Sequence, residues 1–325
     1  MNTNKEIVFF EVDFGDQEKI KKNFPQAKIE NKVLTEEKII KKYQQAEILC
    51  PFIYTQLSAK VIEALPQLKM IVTRSVGFDH IDVSAAHQRG IIVCNVPDYG
   101  SHVIAEHVFA LLLSSVRHIR EGDERVEQNK YDFHGLKGIA LHGKTLGIIG
   151  TGKIGLDVAR IASLGFLMRV IAFDPYQNQE EALKNHFHYV SLKELYCQSD
   201  VISLHVPLLP STKHLINKKT ISQMKDGVII INTARGGIIK EKDLIQAVKK
   251  GKIALANLDV LENEKDLSLE RELIDLPQII TTPHIAFYAD DSIGKMYIEA
   301  ISSIKAFIEN KKVIPNRIDL CQGKK

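Results

Sequence analysis

The stretch LGIIGTGKIGLDVARIA, residues 146–162, restricts the fold more than any other part of the chain. A strand-like apolar run leads into Gly150-x-Gly152-x-x-Gly155 and then into apolar residues at helical spacing. The first glycine permits a tight turn, the second lets a phosphate approach the backbone, and the third allows close helix–strand packing. The helix start beyond them offers free N–H groups and a partial positive charge. A strand–turn–helix unit of this kind belongs to a βαβ crossover, and so to a parallel sheet. The next strand pattern, RVIAFD, ends in Asp174, nineteen residues after Gly155. That is close to the ~20-residue spacing at which an acid receives the ribose hydroxyls of a dinucleotide. A carboxylate repels a 2′-phosphate, and Pro175 and Tyr176 follow with no Arg or Lys adjacent, so NAD is expected over NADP.

The same alternation extends through the chain. EIVFFEV, AEILCPFI, LKMIVT and GIIVCNV read as strands of a first unit, with LTEEKIIKKYQQ, SAKVIEALPQ and DVSAAHQR as helices between them. SHVIAEHVFALLLSSVRHI, 101–119, reads as one long amphipathic helix with Ile104, Val108, Leu111, Leu112 and Ile119 on one face. It follows the turn VPDYG, which marks a domain crossing. KTLGIIG, RVIAFD, DVISLHV, GVIIINT and KIALANLDV continue as strands of a second unit. A last helix near 289–310 carries Ile293, Met296, Ile298, Ile301, Ile304 and Phe307. The expected class is α/β with two doubly wound parallel-sheet domains.

At 325 residues and 45% hydrophobic, the chain can build about two cored domains. A net charge of +3 gives no field that would steer it to nucleic acid or an anionic membrane. Cys50, Cys94, Cys197 and Cys321 form no CxxC or zinc spacing, and they fit a reducing cytoplasm. No signal-peptide pattern or bilayer-length apolar run is present, so a cytoplasmic protein is expected. The twelve histidines lack HExxH or paired-carboxylate spacing, and no metal is expected.

Three further stretches end at strand carboxyl termini, where doubly wound sheets bind ligands. IIINTARGGII carries Arg235, ANLDVLENE carries Asp259 and Glu264, and TTPHIAF carries His284. Together with RSVGFDHID, VPDYGSHVIAEH, GTGKIG and SLHVPL, they make the chain resemble the D-isomer-specific 2-hydroxyacid dehydrogenases over nearly its whole length. NTARGG, DYG and TPHIAFY point to the branch similar to D-lactate dehydrogenases.

The resemblance implies a Rossmann nucleotide domain, 101–289, inserted in a flavodoxin-like substrate domain made of 1–100 and 290–325, with the active site in the cleft between them. It implies that Arg235 holds the substrate carboxylate, that His284 is the general acid or base, and that Glu264 orients His284. It places Gly150, Gly152, Lys153, Ile154 and Gly155 at the cofactor phosphates and Asp174 at the ribose. Val206 and Pro207 fall beside the adenine half, and Thr233, Ala234 and Asp259 toward the nicotinamide. The backbone amides of Val76 and Gly77 would take the substrate carboxylate, with Tyr99 and Phe287 as pocket-wall candidates.

The implied activity is NAD-dependent reduction of a small, pyruvate-like 2-oxo acid to the D-2-hydroxy acid. A homodimer using the 101–119 helix is implied as well. Only twenty residues separate Glu264 from His284, which predicts a shorter loop there than is usual in D-lactate dehydrogenases. Glycerate, glyoxylate, branched-chain oxo acids and phosphite stay open as substrates. The other class is an NAD-sensing, corepressor-like binding protein, but the catalytic trio is complete and the tail after Pro315 is short. His107, mid-helix, reads as a hydrogen-bonded structural group.

Overall fold

The run VIIIN shows how the larger sheet is built. Val228 and Ile230 face an apolar cluster that includes Ile202 and Leu244, whereas Ile229 and Ile231 face another that includes Val108 and Leu112. A strand buried on both sides needs helices on both sides, and its sequence then reads as continuous rather than alternating apolar residues. Each such isoleucine contributes roughly 1.5–3 kcal/mol of burial.

The computed structural model describes residues 5–318. It divides into two compact units: residues up to Tyr99 together with those from Ala289 onward, and Gly100–Tyr288. In the first unit the strands are β1 (Ile7–Phe9), β2 (Lys28–Ile29), β3 (Ile48–Cys50), β4 (Met70–Val72) and β5 (Ile92–Cys94), all parallel, in the order β2-β1-β3-β4-β5. This is the flavodoxin-like order. Val8, Leu49, Ile71 and Val93 pack one face of that sheet against Ile39, Val61, Ile62 and Ala86.

The second unit holds β6 (Thr145–Ile149), β7 (Arg169–Phe173), β8 (Phe187–Tyr189), β9 (Val201–Leu204), β10 (Val228–Asn232), β11 (Ile253–Leu258) and β12 (Ile279–Thr281). Their order, β12-β11-β10-β9-β6-β7-β8, is parallel throughout and reverses direction between β6 and β9. It is the Rossmann order with one added strand, and its switch point lies where the glycine motif follows β6.

Two expectations are corrected. The helix expected over 101–119 is two helices, Ser101–Val116 and Ile119–Glu127. His118 takes a left-handed backbone (φ 51°) between them, and the Val116 carbonyl turns to accept Ile139 N–H. Ile119 is therefore exposed rather than part of the apolar face. In the last helix, Asp290–Ile308, Met296, Ile301 and Ile304 are buried but Ile298 faces solvent. β2 and β8 escape a pattern search because both are short edge strands that pair on one side only. No helix of the described residues is long and apolar enough to cross a membrane, and Cys321 lies outside those residues.

Candidate active site

The glycine loop is assembled by contact distances. Gly150 has φ +99°, and its N–H donates to Phe173 O at 2.9 Å. A Cβ on Gly155 would sit 2.1 Å from the Gly150 carbonyl, so the helix packs on the loop only because no side chain is there. A Cβ on Gly152 would meet nothing within 4 Å, which leaves open space in front of the Lys153–Arg160 helix. Ile154 packs on the core behind Lys153. The Asp174 carboxylate accepts Thr151 N–H and Tyr176 N–H, each at 2.8 Å, and each oxygen keeps a lone pair for a ligand hydroxyl. Val206 sits against Gly150, and the Pro207 carbonyl accepts the Thr212 hydroxyl at 2.5 Å.

Asn232, at the end of β10, spans the next turn: its side chain accepts Ala234 N–H at 3.0 Å and donates to the Arg235 carbonyl at 2.9 Å. The Thr233 hydroxyl is buried with no partner among the described residues. The open cradle at Gly152, the fixed Asp174 carboxylate and this orphaned hydroxyl all suit a dinucleotide.

Arg235, Asp259 with Glu264, and His284 follow β10, β11 and β12, three adjacent strands. Arg235 is extended (φ −147°, ψ 138°), and its Nη1 donates to Ala234 O at 2.7 Å. Asp259 is 1% exposed. Its oxygens accept the Thr282 hydroxyl at 2.5 Å, Ile285 N–H at 2.9 Å and Ala286 N–H at 2.8 Å. His107 Nε2 lies 3.4 Å from Asp259 and 3.2 Å from the Thr282 hydroxyl. Burial alone would raise the Asp259 carboxyl, but hydrogen bonds from His107, Thr282, Ala286 and Ile285 together hold it below the usual range.

That buried carboxylate organises the turn that carries His284. The His284 N–H donates to the Asp259 carbonyl at 2.9 Å, with the residue held at φ +55°. A left-handed backbone costs a β-carbon residue about 1–2 kcal/mol, which the anchored turn offsets. His284 Nδ1 lies 3.0 Å from Glu264 Oε2. A carboxylate only accepts, so Nδ1 carries the proton and Nε2 is left to exchange one. The Phe287 ring stands edge-on to the imidazole, 6.4 Å away between centroids.

Val76, Gly77 and Tyr99 belong to the first unit, where Val76 is exposed and Tyr99 buried. Neither the Thr282–His107 pair nor Asn232 was singled out from sequence as part of this site. Asn232 was legible in principle, since an Asn two residues before a turn amide is a known turn former. Among the described residues no cluster of His, Cys, Asp and Glu could hold a metal.

Comparison with known proteins shows the family. Residues 109–286 match the model of the D-isomer specific 2-hydroxyacid dehydrogenase, NAD binding domain. The chain is 38% identical over 283 residues to a hydroxypyruvate reductase of Thermotoga maritima, covering 87% of this chain and 91% of that one. It is 36% identical over 299 residues to D-lactate dehydrogenase of Escherichia coli, covering 88% and 90%. A crystal structure of D-lactate dehydrogenase from Aquifex aeolicus, complexed with NAD and lactic acid, superposes with a TM-score of 0.88 at 34% identity over 96% of this chain and 99% of that one. The chain belongs to the D-isomer-specific 2-hydroxyacid dehydrogenases, similar to their D-lactate dehydrogenases, and is an NAD-dependent oxidoreductase acting on CH–OH donors.

Proposed function

We propose that the protein reduces a small 2-oxo acid, pyruvate or one close to it in size, to the D-2-hydroxy acid. The observation that carries the reading is the Glu264–His284 pair beyond β11 and β12, on strands adjacent to the one that precedes Arg235. Arg235 binds the substrate carboxylate, for which its planar fork suits two oxygens. The Val76 and Gly77 amides are proposed as further carboxylate donors. His284 gives the proton on Nε2 to the carbonyl oxygen, and Glu264 holds the ring through Nδ1. Bound NADH supplies the hydride. Lys153, Ile154 and the glycine loop hold the cofactor phosphates, Asp174 the ribose, Val206 and Pro207 the adenine side, and Thr233, Ala234 and Asp259 the nicotinamide side. Asp174 favours NAD over NADP, since its carboxylate would repel a 2′-phosphate. Tyr99 and Phe287 are proposed to line the substrate pocket.

The test is steady-state kinetics on a panel of pyruvate, hydroxypyruvate, glyoxylate and branched 2-oxo acids, with NADH and with NADPH. Highest efficiency with pyruvate and NADH is expected. Tight NADH binding without turnover of any panel member would overturn the catalytic reading in favour of a sensor.

A further inference from the structure

The backbone that leaves β4 is held by its carbonyls. The Ser75 carbonyl accepts Val96 N–H at 2.9 Å, the Val76 carbonyl accepts Asn95 Nδ2 at 2.7 Å, and the Gly77 carbonyl accepts the Ser75 hydroxyl at 2.6 Å. In a trans peptide, each C=O points opposite to the next N–H. Three pinned carbonyls therefore aim the N–H groups of Val76, Gly77 and Phe78. Among the described residues none of these three amides donates a hydrogen bond, and Val76 is 40% exposed. Successive free amides of this kind offer donors to an anion.

Proton counting shows what holds the arrangement. The Ser75 hydroxyl has one proton, and it goes to Gly77 O. Thr73 Oγ1, 2.7 Å from Ser75 Oγ, must then be the donor in that pair. Its other acceptor, Phe52 O, is distant at 3.4 Å. His80 Nε2, 3.0 Å from Thr73 Oγ1, must therefore carry a proton of its own. The result is a one-way chain from His80 through Thr73 and Ser75 to the Gly77 carbonyl. Thr73, Ser75 and His80 are 0%, 2% and 5% exposed, so water does not compete for these bonds. Arg74, within the same run, is anchored to the interior by Tyr297 OH at 2.7 Å.

We propose that Thr73, Ser75, His80 and Asn95 are positioning residues for the substrate carboxylate, acting by orienting the Val76, Gly77 and Phe78 amides, with Phe78 N–H as a third donor. This rests on the reading of the protein as a 2-oxo acid reductase. The hydroxyl chain touches no reacting atom. Its removal weakens ground-state and transition-state binding alike, which appears in KM rather than kcat.

Thr73→Val keeps the side-chain shape and deletes the hydroxyl. We expect KM for pyruvate to rise about 5- to 10-fold, with kcat and the NADH dissociation constant within about twofold of wild type. Binding of oxamate, an unreactive analogue, to the NADH-loaded enzyme should weaken by the same factor, and Thr73→Ser should restore both. Asn95→Ala, which frees the Val76 carbonyl alone, should raise KM in the same way even if Thr73→Val fails to fold. Unchanged KM and oxamate affinity in these variants would overturn the inference, as would a fall in kcat that Thr73→Ser does not rescue. A wild-type enzyme that reduces no 2-oxo acid and binds no oxamate would overturn the functional reading itself.

Discussion

The two sheets follow the same rules yet carry opposite kinds of chemistry at their carboxyl ends. Beyond β10, β11 and β12 the larger unit presents side chains, Arg235 on a turn spanned by Asn232, Glu264, and His284 on a turn held by a buried carboxylate. Beyond β4 the smaller unit presents backbone amides, held by neutral hydroxyls and a carboxamide. The difference is one of anchoring strength. A buried, ionised Asp259 serves four donors at once, whereas each hydroxyl of the smaller unit accepts from one. Hydrogen bonds to charged groups contribute about twice as much as neutral ones. The side-chain end should thus fail abruptly when its anchor is changed, and the amide end by degrees.

Asp259→Asn is the sharpest way to break that contrast. An amide offers one acceptor oxygen, so at least one of Ile285 N–H, Ala286 N–H and the Thr282 hydroxyl loses its partner. We expect a loss of about 2–3 kcal/mol in stability, read by denaturant unfolding, together with a clear fall in kcat. A variant as stable as wild type, with the same kcat, would show that Asp259 anchors nothing.

A second buried acid beside the same loop gives a pH test. Glu241 accepts Glu262 N–H at 2.7 Å and, by burial first and its hydrogen bond with Glu270 second, its carboxyl is pushed up to about 8. The folded state therefore keeps a proton that the unfolded chain releases near 4.5. That stabilisation is complete at low pH and is lost as pH rises through about 8. Glu241→Gln should remove this slope: the melting temperature of wild type should fall relative to the variant between about pH 5 and pH 8. Parallel pH–Tm curves would contradict the assignment.

How legible all this was in the sequence follows from the same contrast. The larger unit announces itself, because doubly buried strands read as VIIIN and IALANL, and glycine spacing survives any reading of the surface. Side-chain chemistry is also written in residue identity, so Arg235, Glu264 and His284 could be named from motifs alone. The anchors were harder to see. Asp259 looks like any strand-end acid until Thr282, Ile285 and Ala286 are brought to it across a β11–β12 crossover. The amide row after β4 could be named at Val76 and Gly77, but what aims it could not, because a free N–H has no signature in residue type. The break at His118 was missed for a local reason: the helical apolar spacing runs through it, and only the left-handed backbone ends the helix.

The account turns on proton transfer at His284, and the most direct measurement is kcat for 2-oxo acid reduction by NADH in wild type, His284→Ala and Glu264→Gln. His284→Ala should lose roughly 10²–10⁴-fold in kcat while NADH still binds. Glu264→Gln should lower kcat as well, because the carboxylate no longer holds the ring through Nδ1. Turnover by His284→Ala within about tenfold of wild type would contradict it.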